Sequence, residues 1–303
     1  DLLGIQTDGN VFSVVYHRCK DTNVLRITLA KREIFIIFVG MNKKNRIMES
    51  RVNPDYHGDA PYIRQLPERI AQTEAECIYK GRNDVYRMSL PSGRFVAVKA
   101  FKPLDWFHRF WYTVIEHDKA RRSYDNAMEL LHRGISTPTP VAWLAERSGR
   151  LKCRLYYLCA ISDSLPIAEF ITDDEIFDHS ATKALAKFVA TLHERGIIHN
   201  DLNNGNIRWR QADDAYLFEL IDLNRMKFYP EGTQPPRQEC LQNLTLFCDL
   251  NPQFRFFLKC YMAERHWPSG VIDEALRIKR KHDSHWMRKQ ALKRILRFKA
   301  CLF

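Results

Sequence analysis

His199-Asn200-Asp201-Leu202-Asn203-Asn204-Gly205-Asn206 is the stretch on which the reading of this chain turns. It follows a segment whose Ala181, Leu185, Phe188, Val189 and Leu192 form one apolar stripe at helical spacing, with Ser180 placed to cap that helix and Gly196 to stop it. A short loop then presents an aspartate and, five residues on, an asparagine. Downstream, an apolar strand over 215–223 ends in Ile221-Asp222-Leu223. Upstream, Phe95-Val96-Ala97-Val98-Lys99 puts one lysine at the end of an otherwise apolar strand.

Phosphoryl transfer from a nucleotide needs this set of parts. A cation must neutralise the α- and β-phosphates, a carboxylate must orient the acceptor hydroxyl, and a carboxylate with an amide must hold magnesium. The order Lys, then Asp-x₄-Asn, then a strand-ending Asp is that of a protein-kinase-like fold. Lys99 is therefore assigned to the nucleotide phosphates, Asp201 to the catalytic base, and Asn206 with Asp222 to the metal. Lys99 alone is an ordinary edge-strand lysine, and Asp222 alone a helix cap or surface acid; the specificity lies in the three signals in order. His199 reads as a structural residue bonded to backbone. Gly81, in Gly81-Arg82-Asn83-Asp84, lies on a loop that could cover phosphates with backbone N–H groups, or be a plain hairpin. Residues 160–166, between the two halves, are placed to offer backbone groups to an adenine.

Outward from these residues the chain divides into an α+β, two-lobed architecture. Residues 61–163 read as a small antiparallel sheet with one helix. Its strands are expected at Glu76–Lys80, Asp84–Leu90, Arg94–Phe101, 141–146 and 151–160. The helix is expected over 117–133, with Tyr124, Ala127, Met128 and Leu131 inward and Gly134 as its stop. Residues 164–303 read as a mainly helical lobe, with further helices near 238–248, 252–265 and 271–299. Residues 1–60 form an N-terminal extension containing β-like runs at Val11–Tyr16, Val24–Leu29 and Ile34–Val39, with 41–61 as its boundary. The chain starts at Asp1 rather than Met. Two expectations follow: that the residues before Met41 or Met48 are not native, or that they are a small β-rich extension.

Composition narrows the class. The 303 residues carry 47 Lys plus Arg against 36 Asp plus Glu, a formal charge of +11, which predicts an anionic partner. The eight cysteines include no C-x-x-C pair, so zinc and dithiol motifs are absent and the thiols read as buried groups in a reducing compartment. The longest apolar run, Ile34 to Val39, falls far short of the roughly 20 residues a spanning helix requires. A cytoplasmic location is expected.

The catalytic stretch, Ile221-Asp222-Leu223-Asn224-Arg225 and the strand of Lys99 together resemble the lipopolysaccharide core kinases, the Kdo and heptose kinases of Gram-negative bacteria. Gly134-Ile135-x-Thr137-Pro138-x-Pro140 is similar to this family and to the RIO kinases. The resemblance covers roughly residues 68–300. It implies ATP and Mg2+ as cofactors and a sugar hydroxyl of the inner core as acceptor. An anionic lipid-linked saccharide is then the partner, with peripheral contact at the cytoplasmic face of the inner membrane. Asn200 stands where protein kinases usually carry Arg, Asp222 is followed by Leu-Asn, and no Ala-Pro-Glu follows; each favours a glycan acceptor over a protein. Counting back from Gly134 puts Ser123 where related kinases carry the glutamate that pairs with the lysine, with Asp125 or Glu116 as substitutes. From Arg277 to Lys299 ten Lys or Arg accompany one acid, Asp283: a packed final helix with a solvated basic face, or a membrane-surface contact. No nucleic-acid motif accompanies that charge. The rival readings are a RIO-like protein kinase, an aminoglycoside-type small-molecule phosphotransferase and a non-catalytic pseudokinase.

Overall fold

The computed structural model describes the backbone of residues 2–7, 10–19, 22–29, 32–39, 46–72, 75–101, 119–148, 151–246 and 250–300, and side chains within 48–72, 75–101, 119–146, 154–246 and 250–291. Strands β1 (Leu2–Thr7), β2 (Asn10–Cys19), β3 (Thr22–Leu29) and β4 (Arg32–Val39) pair in chain order as an antiparallel sheet, one strand more than the three expected runs.

A second antiparallel sheet has six strands. These are β5 (Arg46–Val52), β6 (Glu76–Lys80), β7 (Asp84–Ser89), β8 (Phe95–Phe101), β9 (Pro140–Ser148) and β10 (Leu151–Ala160), in the order β5-β9-β10-β8-β7-β6. Alternation separates its faces. Val96, Val98, Ala142, Leu144 and Leu158 are buried on one face with Tyr56, Ile63 and Leu66. Trp143, Ala145, Tyr157 and Phe101 lie on the other with Ala120 and Tyr124. The expected boundary over 41–61 does not hold. Residues 46–52 form the edge strand beside β9, and 54–71 fold as a short 3-10 turn with helices α1 (Ala60–Arg64) and α2 (Leu66–Ala71). Sequence patterning missed them because 41–61 read as a boundary, whereas Pro54, Pro61 and Pro67 each stand in the first turn of a short helix, where proline is tolerated.

Helix α3 (Lys119–His132) lies against the second face and ends at Gly134, whose φ of 70° supplies the left-handed C-cap. Its inward stripe is Ala120, Ser123, Tyr124, Ala127 and Leu130. Met128 and Leu131, expected inside, are each 39% exposed. The small residues Ala120, Ser123 and Ala127 set the inward face because they let the helix approach the sheet closely.

The second lobe is built on α4 (His179–Glu194), α6 (Pro252–Glu264) and α7 (Val271–Ala300), with α5 (Arg237–Asn243) between. Leu185, Val189 and Leu192 of α4 pack in one core with Phe254, Phe257, Leu258 and Tyr261 of α6. The cap of α4 is Asp178, whose carboxylate accepts from the Ala181 N–H at 2.8 Å, two residues before the expected Ser180. Three small strand pairings line the lobe junction: β11 (Leu165–Pro166) with β13 (Ile207–Ala212), β13 with β14 (Ala215–Leu220), and β12 (Ile197–His199) with β15 (Met226–Phe228). No helix among the described residues is long and apolar enough to cross a membrane.

Candidate active site

Lys99 enters from β8, on the α3-facing side of the sheet, directly opposite Val85 of β7 and Tyr157 of β10. Its ammonium donates to Asp222 Oδ1 at 2.7 Å, and the two side chains are only 21% and 22% exposed. Residues separated by 123 positions are thus brought together across the lobe junction.

The backbone aims Asp222. It adopts φ 57° and ψ 55°, the left-handed region, which costs a residue with a Cβ of order 1–2 kcal/mol and which aspartate visits more readily than most. Such strain persists only when the surroundings hold it. Here Leu220 is clamped by the Gly134–Pro140 linker: its N–H donates to Ser136 O at 3.0 Å and its carbonyl accepts from Thr137 Oγ1 at 2.7 Å. On the far side, Asn126 of α3 donates to Leu223 O at 2.6 Å. Asn224 donates to Asp222 Oδ1 at 2.8 Å, leaving Oδ2 as the other acceptor.

The catalytic loop is held by its own side chains. Asn203 Oδ1 accepts from the N–H groups of Gly205 and Asn206 at 2.9 and 3.1 Å, and its amide donates to Asp201 Oδ1 at 3.1 Å. Asn206 Nδ2 donates to Asp201 O at 2.8 Å, which leaves its amide oxygen for another partner. Its carbonyl accepts from Ile221 N at 3.0 Å, tying it to the residue before Asp222. His199 accepts from Asp201 N–H at Nδ1 (3.1 Å) and donates from Nε2 to Ile221 O (3.0 Å). Burial lowers its pKa below the ordinary imidazole range, so it is a neutral spacer with a fixed tautomer.

Beneath the loop, Asn243 of α5 donates to His199 O at 2.8 Å and accepts from His193 Nε2 at 3.1 Å. His193 Nδ1 meets the Tyr261 hydroxyl at 2.7 Å. Burial pushes the His193 pKa down to about 4, so this buried chain is neutral.

The structure thus pairs Lys99 with Asp222 and Asn206 with Asp201, and bonds Asn206 to Ile221, the chain neighbour of Asp222. Gly81 is not part of these pairings. It sits between β6 and β7, where a Cβ would lie 2.6 Å from the Tyr79 ring. Ser123 is buried and its hydroxyl donates to Lys119 O at 2.8 Å, so it makes no pair with Lys99. Asp125 does not substitute: it faces Arg51 at 3.5 Å and Arg121 at 3.3 Å. Glu116 lies outside the described residues. Among the described residues, Lys99 has Asp222 as its carboxylate partner. In the 160–166 linker, the Ser162 hydroxyl bonds Glu219 of β14. Asn126 and Asn243 were not singled out by the sequence, and Asn203 and Asn224 were quoted only within motifs, with no role of their own. Each is a lone amide whose partner lies elsewhere in the chain or in loop geometry.

The donor chemistry fits a magnesium nucleotide. Asn206 Oδ1 and Asp222 Oδ2 are hard oxygen atoms of the kind Mg2+ takes, and Lys99 beside them is a cation suited to phosphate.

Residues 106–245 match the model of the lipopolysaccharide kinase (Kdo/WaaP) family. No curated protein matches the chain by sequence. A solved structure described as "WaaP in complex with acyl carrier protein" superposes with a TM-score of 0.51 at 16% identity, over 81% of this chain and 98% of that one. The Rio2 kinase–ADP/Mg2+-phosphoaspartate complex from Chaetomium thermophilum gives 0.42 at 14% identity, over 88% and 82%. Amicoumacin kinase hAmiN in complex with AMP-PNP, Ca2+ and Ami gives 0.49 at 12%, over 73% and 84%. The family match spans the stretch that carries Asp201, Asn206 and Asp222, and the first of these structures supports the fold over 81% of the chain. The chain thus matches the lipopolysaccharide kinase (Kdo/WaaP) family model over residues 106–245, and its fold is protein-kinase-like.

Proposed function

We propose that this chain transfers the γ-phosphoryl group of ATP to a hydroxyl of a Kdo or heptose residue in the lipopolysaccharide inner core. The observation that carries this reading is the convergence of Lys99, Asp222, Asn206 and Asp201 on one junction, within a fold of the lipopolysaccharide kinase family.

The residues divide the work. Lys99 would hold the nucleotide phosphates, and Asn206 with Asp222 would hold Mg2+; the bound nucleotide supplies the transferable phosphoryl group. Asp201 keeps one carboxylate oxygen on Asn203 and turns the other to the acceptor hydroxyl, orienting it and taking its proton. Because Lys99 and Asp222 neutralise each other, either side chain removed alone leaves a partly buried charge without its partner. The surplus of eleven positive charges supports an anionic acceptor, and it argues against a cationic one of the aminoglycoside type. Residues 223–236 hold only a short 3-10 turn and β15 before α5 begins, which leaves little platform for a peptide substrate.

ATP consumption measured with purified core lipopolysaccharide and, separately, with protein substrates tests this reading. Turnover with the lipopolysaccharide alone is expected. Turnover with protein alone would replace the reading with a protein kinase, and none with either would leave a pseudokinase.

A further inference from the structure

Two cavities flank the catalytic loop on the side of α7. One, of about 750 Å³, is lined by Asn200, Glu239 and His282 among others; the second, of about 470 Å³, by Asn204, Asp173, Lys279, His282, Asp283 and Trp286. Both fall within the range of about 300–1,000 Å³ usual for small-ligand sites. They share Thr245, Leu246 and His282, so His282 stands between them. Each also takes one catalytic-loop amide, Asn200 just before Asp201 and Asn204 just after Leu202-Asn203. Neither amide side chain makes a hydrogen bond to another described residue.

The wall that α7 supplies changes character along its length. At its start the inward residues are Val271, Ala275 and Leu276, all buried in the apolar core. One turn later the same side of the helix carries Lys279, His282, Asp283 and Trp286, spaced i, i+3, i+4 and i+7. The Lys279 side chain is 5% exposed, its ammonium donating to Asp283 at 2.8 Å and to Thr245 O at 3.0 Å. The Asp283 carboxylate also meets His282 Nδ1 at 3.2 Å. Keeping an ion pair there is costly in stability compared with apolar side chains of similar size. Beside it Trp286 leaves 55% of its surface open although it lines the cavity.

An aromatic face next to carboxylate, imidazole and amide groups is the chemistry that binds a sugar ring. The apolar C–H face of the ring packs on the indole, and the planar polar groups take up its hydroxyls. We infer that the α7 stripe Lys279–His282–Asp283–Trp286, with Asn204 of the catalytic loop, forms the binding site for the acceptor saccharide and sets which sugar is presented to Asp201. The inference rests on the functional reading above. It assigns a specificity role to α7, which lies beyond the stretch matched by the family model.

The test is steady-state kinetics on the full chain, with ATP, Mg2+ and a deacylated lipopolysaccharide core oligosaccharide as the acceptor probe. Trp286→Ala and His282→Ala are compared with the parent protein. Trp286 is half exposed, so its replacement leaves the packed core alone; unchanged nucleotide affinity by calorimetry checks each variant's fold. The expected result is an acceptor KM raised by about tenfold or more in Trp286→Ala, the size of effect a stacked aromatic anchor carries, with the KM for ATP unchanged. An active parent with an acceptor KM in both variants within about twofold of its own would overturn the inference while leaving the function standing. A parent that transfers no phosphate to any core oligosaccharide would remove the functional reading and this site together.

Discussion

Asp222 shows how much one residue is asked to do. It holds a left-handed backbone and neutralises Lys99, and in the proposed function its second oxygen would hold the metal. Replacement by Asn keeps a residue that tolerates that backbone, so Asp222→Asn is expected to stay folded while losing Mg2+-dependent nucleotide binding in calorimetric titration. Asp222→Ala is expected to lose the same binding and, in addition, about 1 kcal/mol of stability to the strained backbone, read as a lower denaturation midpoint. Binding by Asp222→Asn equal to that of the parent would remove the residue from its metal role. The position was legible from the end of a strand and the order of motifs. Its φ and its ion pair were not, because sequence carries no record of which distant carboxylate pairs with Lys99 when Ser123 cannot.

The elements that hold the catalytic loop from below make a prediction about pH. His193 is buried between Tyr261 and Asn243, and its pKa falls from 6.5 in the unfolded chain to about 4. Between those values the unfolded state binds the extra proton, so stability rises with pH and is lost as the pH drops from about 6.5 towards 4. The loss amounts to roughly 3 kcal/mol in the limit, with His199 adding in the same direction. His193→Gln is expected to flatten that slope in chemical denaturation at pH 7 and pH 5, and an unchanged slope would contradict the assignment. The turn that ends α4 is equally specific. Gly196 has φ 71°, and a Cβ there would lie 2.6 Å from Thr233 O. Gly196→Ala is therefore expected to lower thermal stability by about 1–3 kcal/mol through strain and clash. The glycine stops at 134 and 196 and the strands β6 to β8 were legible in the sequence because turn chemistry and period-2 alternation are local. The short helices over 60–71 and the addition of β5 to the sheet were not. They depend on pairing with β9 and on the buried side chains of Tyr56, Ile63 and Leu66.

For the whole molecule, two lobes contribute separate halves of the proposed site, so neither half is informative alone. The sheet brings Lys99, the helical lobe brings Asp201, Asn206 and Asp222, and the Gly134–Pro140 linker braces the strand before Asp222 through Ser136 and Thr137. This is why the order of motifs revealed the fold although the supporting asparagines stayed hidden. Charge reads at the same scale: eleven surplus positive charges predict that transfer to an anionic glycan slows as salt rises, whereas nucleotide binding at the partly buried Lys99 pair changes less. A salt series on both quantities checks this. The most direct measurement of the central claim is mass spectrometry of deacylated core oligosaccharide after incubation with ATP, Mg2+ and either the parent chain or Asp201→Asn. The account predicts that the parent adds one phosphate per oligosaccharide and that Asp201→Asn, folded and still binding nucleotide, adds essentially none. Undiminished phosphorylation by Asp201→Asn, or no phosphorylation by the parent, would contradict it.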